Sequence, residues 1–136
     1  MRLGACAVLL CLIPSMAVAQ VATYIDRAPG SPVRLISCDA VPNADGSVWL
    51  SYVFQNVSRK AISVVRVQFS AYNTFEGRLP GHVSGDSGGS PLLPHESASW
   101  QRTATTSSIG TLTPWQDATS VHCEVTNVRF ADGSSW

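Results

Sequence analysis

The chain has 136 residues, a formal net charge of zero, and only 13% charged side chains. Its 45% hydrophobic content excludes a disordered chain. Lysine occurs once, at Lys60, so no basic stripe exists for nucleic acid or an anionic membrane surface.

Met1-Arg2 is a short positive start, followed by an uncharged run from Leu3 to Ile13. Pro14 and Ser15 break that run, and Ala17-Val18-Ala19 places small residues where a signal peptidase reads. This layout predicts a secretory signal peptide over 1–19, cleaved before Gln20. The apolar stretch, about 11 residues, falls short of the roughly 20 that a spanning helix needs. Leu3-Gly4-Ala5-Cys6 spells a lipobox-like tetrad, but Cys6 opens the apolar run, whereas a lipobox cysteine follows it. The expected address is therefore the periplasm or the exterior, with no transmembrane segment.

Removing residues 1–19 leaves 117 residues and takes Cys6 and Cys11 with them. The length suits one domain with a real core. Cys38 and Cys123 remain, and two thiols in an oxidising compartment are expected to pair. The loop they close, roughly 86 residues, carries a chain-entropy value of roughly 4–5 kcal/mol at most.

Residues 20–32 contain Pro29, Gly30 and Pro32 and read as an extended leader. Arg34 to Val41 reads as a first strand, ended by Pro42 and an Asn43-Ala44-Asp45-Gly46 turn. Val48, Leu50, Tyr52 and Phe54 alternate with Trp49, Ser51, Val53 and Gln55, a period of two with the even positions facing inward. After the polar turn Asn56-Val57-Ser58-Arg59-Lys60, a strand runs from Ala61 to about Asn73. Its apolar parity changes near Val64, which predicts a β-bulge there.

Asn73 to His95 holds glycines at 77, 81, 85, 88 and 89 and prolines at 80, 91 and 94, and is expected to be irregular. Strand pattern returns over Ser97 to Thr103, and again from Ser120 to Val125 and on through Phe130. With no helical period after residue 19, the fold class is mainly β. Two to three strands on either side of the long loop suit an antiparallel two-sheet sandwich, with the cysteines tying first strand to last. The organisation expected is a signal peptide (1–19), a leader (20–32) and one β-sandwich domain (33–136).

The middle of the chain resembles the FxLYD-type family of exported bacterial β-sandwich modules. The residues that carry the likeness are Asn56-x-Ser58, Ile62, Val65 and Val67, then Phe69-Ser70-Ala71-Tyr72-Asn73 and Gly77. Leu93-Pro94-His95-Glu96 and Trp100 are similar to that family's Leu-x-Pro-Gly-Glu turn and following aromatic. The sequence departs from it at Ala71, Asn73 and His95, which stand for Leu, Asp and Gly. The resemblance spans about residues 45–105 and implies an immunoglobulin-like sandwich, with no catalytic residues to carry over.

Gly85-Asp86-Ser87-Gly88-Gly89-Ser90 nearly reproduces the nucleophile segment of chymotrypsin-like proteases. That mechanism needs a histidine and a carboxylate far upstream. Here His82 is the sole mature histidine before Ser87, and 117 residues cannot build two six-stranded barrels. A small hydrolase could instead draw on His82, Asp86 and Ser87, or on His95 and Glu96, yet a loop without supporting residues positions such groups poorly. The chain is read as no enzyme. His82, His95 and His122 lack zinc-ligand spacing, so no metal or other cofactor is expected, and His122 should point away from the face of Cys123. Asn56-Val57-Ser58, formally a glycosylation sequon, reads better as a turn.

Trp49 and Val53 share the odd face of their strand. With Trp100 they are the candidate binding surface, since apolar patches on soluble domains mark contacts. Trp136 is expected to fold back onto the sheet. The function expected is an exported, non-enzymatic β-sandwich module acting on a protein or an envelope surface. An accessory subunit pairing through an exposed strand edge, and a carbohydrate or small-ligand binder stacking on Trp49 or Trp100, are the rivals.

Overall fold

A computed structural model describes residues 21–75, 77–79, 82–105, 115 and 117–136. The expected signal peptide lies outside the described residues.

Among the described residues, eight strands build two sheets. One holds β2 (Val33–Pro42), β3 (Val48–Asn56) and β7 (Ser97–Ala104) in the order β2-β3-β7. The other runs β1 (Ala22–Ile25), β8 (Ser120–Phe130), β4 (Ile62–Asn73), with the short β5 (Gly77–Arg78) and β6 (Val83–Ser87) both pairing with β4. All pairings are antiparallel except β1 with β8. The fold is a mainly β sandwich. Its connectivity follows the immunoglobulin pattern, in which one sheet carries A, B and E and the other F, C and C′. The place beside F that a final strand usually fills is taken here by β1.

The alternation in residues 48–55 sets the core as expected: Val48, Leu50, Tyr52 and Phe54 are buried, and the odd residues between them are half-buried. Val65, Val67, Phe69, Val121 and Cys123 face them from the other sheet. The parity change near Val64 is a bulge, with Ile62 opposite Phe130 and Val64 opposite Arg129. Ser63, the extra residue, donates its hydroxyl to the Arg129 and Phe130 carbonyls. The Cys38–Cys123 disulfide joins β2 to β8, and so one sheet to the other.

Two expectations are corrected. Within residues 20–32, Ala22–Ile25 form β1, supported by parallel pairing to Ser120–Cys123. Within residues 73–95, β6 pairs Val83–Ser87 with Val65–Phe69. The glycine that misled the reading is Gly85. A Cβ there would fall 2.6 Å from the Trp100 ring, so glycine serves close packing at this position and not a turn. At the other end of the segment, His95 has φ 68°, the left-handed conformation that glycine adopts without strain.

Candidate functional site: the open edge of β7

The residues singled out by sequence fall in different places. Trp49 and Val53 lie half-buried on the outer face of β3, opposite Thr103 and Ser99 of β7. Trp100 does not join them. It stands opposite Tyr52 and stacks on it with ring centroids 5.1 Å apart, inside the sandwich. Period-two alternation puts an even residue of β7 on the face opposite an odd residue of β3. The three-residue surface therefore divides between the two faces, and a paired-tryptophan platform does not form.

The protease-like segment is spent on strand pairing. Ser87 Oγ accepts from Val65 N–H at 3.2 Å, and Asp86 takes a bidentate bond from Arg66 at 2.7 Å. That guanidinium holds the Asp86 carboxyl below its ordinary range. As neighbours on one strand, Asp86 and Ser87 point to opposite faces. His82 and His95 are exposed, and Glu96 uses its carboxylate to accept from Leu93 N–H.

His122 is half-buried, and it does face away from Cys123. Asp26 receives its Nδ1 at 2.9 Å, while Tyr72 and Tyr24 flank the ring at 4.4 and 5.2 Å. Ser70 stands opposite His122 in the β4–β8 register, so the three residue types of a Ser-His-Asp relay share one face. Sequence reasoning missed this cluster because Asp26 and His122 are 96 positions apart. Ser70 Oγ, however, accepts from Gln68 and Arg78, and among the described residues no bond joins it to His122. The cluster works as a clamp holding β1 against β8. No group of three metal-ligating side chains occurs among the described residues.

Concavities are modest. A cleft of about 80 Å³ opens between the sheets beside Phe54, Ile62, Ser87, Leu92 and Ala98, well under the ~300 Å³ at which small-molecule sites begin. A hollow of about 310 Å³ over the outer face of β4 and β8 is polar, lined by Arg66, Asp86, Asn127 and Arg129 beside Val64. Its central Arg66–Asp86 pair is already self-neutralising.

The exposed chemistry is that of a strand edge. Opposed residues in an antiparallel pair alternate between hydrogen-bonded and non-bonded pairs. Asn56 N–H donates to the Glu96 carbonyl at 2.9 Å, one step beyond the Gln55–Ser97 pair, and the Asn56 carbonyl accepts from His95 N–H, so Asn56 bonds toward β7 across a bulge at His95 and Glu96. Counting from there, Ala98, Trp100 and Arg102 bond to β3. Ser97, Ser99, Gln101 and Thr103 thus turn their N–H and C=O groups away from it. The opposite side of β3 gives the same phase: Asn43 N–H donates to Ser47 O, so odd residues of β3 serve β2. Among the described residues no strand pairs with the outer side of β7.

Edges of this kind are usually guarded by bulges, prolines, lysines or shortness. The other edges here are guarded. β2 carries a bulge at Ile36 together with Arg34, Asp39 and Pro42, and β1, β5 and β6 are only four, two and five residues long. β7 runs eight residues in unbroken register with β3, and Arg102 is its one charged side chain.

No family model matches the chain, and no curated protein matches it. Among solved structures, the crystal structure of Campylobacter jejuni cj0090 is similar at 11% identity, over 79% of this chain and all of that one, with a TM-score of 0.38.

Proposed function

We propose that this chain is an exported β-sandwich module of the FxLYD-like kind, without enzymatic activity, that works by main-chain pairing at the open edge of β7. The observation that carries the reading is the row of outward N–H and C=O groups at Ser97, Ser99, Gln101 and Thr103 on an eight-residue strand that has no bulge, proline or lysine within it. Export follows from residues 1–19, with cleavage near Ala19/Gln20. The disulfide suits a periplasmic or secreted address, since such bonds persist in oxidising compartments. Among the described residues no helix is long and apolar enough to cross a membrane.

The test is capture of a partner from envelope extract by the oxidised mature protein, compared with Ser99→Pro. Because the Ser99 N–H faces outward, proline there removes an edge donor and leaves the bonds to β3 in place. Capture by the wild type and its loss in Ser99→Pro supports the reading. Equal capture by both proteins refutes it.

A further inference from the structure

Resting on that reading, we propose that the strand the β7 edge accepts is a second copy of itself, paired antiparallel about a two-fold axis at Ser99. Three features of the edge agree with this arrangement.

The first is main-chain phase. Ser99 directs both its polar groups outward, so two copies of Ser99 form a bonded pair at the axis, with Ser97 of each copy bonded opposite Gln101 of the other.

The second is charge. Continued one residue past β7, this axis sets Glu96 of one copy opposite Arg102 of the other, twice over; one Glu96 carboxylate oxygen accepts from Leu93 N–H and the second is left to meet the guanidinium. Both side chains are exposed. Moving the axis one position puts Arg102 opposite Ala98 or Pro94, so only the Ser99 axis matches the charges.

The third is volume. Half-buried Trp100 lies opposite half-buried Ala98 of the second copy, a large side chain against a small one. The outer face meets with serines and glutamines, where no like charges oppose. A closed two-fold contact of this kind consumes the β7 edge on both chains and leaves neither copy of β7 free to propagate.

The test measures oligomeric state in the oxidised mature protein by light scattering across a concentration series. The wild type is expected to move from one chain mass to two. Ser99→Pro should stay at one, with unchanged near-ultraviolet circular dichroism. Arg102→Glu sets like charges opposite each other and should raise the dissociation constant roughly tenfold, and Glu96→Arg combined with Arg102→Glu should restore it. If Ser99→Pro proves unstable, the position is read by cross-linking. Ser99→Cys should form an intermolecular disulfide with oxidised glutathione, whereas Ser97→Cys, which meets Gln101, should not.

A wild type that stays monomeric throughout overturns the proposal, as does a dimer indifferent to both Ser99→Pro and Arg102→Glu. A monomer that still captures an envelope partner through Ser99 overturns the self-pairing alone and leaves the edge reading intact.

Discussion

Gly85 on β6 lies directly beneath the indole of Trp100 on β7, so close that a Cβ at 85 would sit 2.6 to 2.8 Å from three ring carbons. This contact closes the side of the sandwich away from the disulfide. Trp100 cannot yield easily, because its other neighbours are Tyr52 and Phe69, at 5.1 and 6.2 Å between centroids. Gly85→Ala should therefore cost about 1–3 kcal/mol in urea unfolding, the usual range for overpacking a filled core. Pairing it with Trp100→Leu should cost less than the two single changes summed, since one relieves the other.

Asn56 holds the start of the edge in place. It is fully buried, donates through Nδ2 to the carbonyls of Lys60 and Leu92, and accepts through Oδ1 from Ser58 N–H and hydroxyl. Asn56→Ala removes four side-chain bonds at once, although the Leu92 and Lys60 carbonyls keep one partner each in Ile62 N–H and the Ser58 hydroxyl, and should cost about 2–3 kcal/mol. Asn56→Gln should not recover the loss, because a longer side chain cannot reproduce the Asx turn at Ser58.

Removal of the disulfide by the double change Cys38→Ala and Cys123→Ala should lower stability by about 2–5 kcal/mol, the range for native bonds in small exported domains. Alkylation without reductant should add no label to the mature protein. Two added labels would show that the thiols are free.

The Arg66–Asp86 pair sets a pH dependence of known sign. Its hydrogen bonds and the nearby positive charge hold Asp86 below the ordinary carboxylate range. The unfolded chain therefore takes up that proton first as pH falls. Stability from the pair is complete above the unfolded pKa of about 4 and is lost as pH drops through the lower folded value. The stability gap between wild type and Asp86→Asn should be constant from pH 8 to 5 and shrink below about pH 4. Salt should narrow it at neutral pH, since both side chains are about half exposed.

Ser87 should not react with a fluorophosphonate probe, because its hydroxyl accepts from Val65 N–H and donates to Val65 O. Stoichiometric labelling abolished by Ser87→Ala would reverse the non-enzymatic reading.

What the sequence revealed depended on how local the cause was. The alternation of Val48, Leu50, Tyr52 and Phe54 names a half-buried strand within nine residues, since one face must be apolar and the other need not be. The bulge at Ser63 was legible as a parity change for the same reason. Gly85 misled because a glycine required by an indole 15 residues later looks the same as a glycine required by a turn. Strand β1 was invisible: its burial pattern is almost wholly exposed, and its support comes from β8, nearly a hundred residues away. Pairing through an exposed strand edge is one of the alternatives the sequence offers, but nothing in it singles out β7. Its hydrogen-bonding phase is fixed by the Asn56–Glu96 contact, which no periodicity encodes.

The disulfide also makes the sandwich mechanically lopsided. Cys38 and Cys123 weld the two sheets on the side of β1 and β2, while β6 and β7 meet on the other side through the contact of Trp100 with Gly85. The molecule is thus a clamshell with a covalent hinge, and its breathing must be greatest at the lip. That lip is β7 itself. Load taken up at that edge passes through β3 and β2 and reaches β8 across a sulfur–sulfur bond.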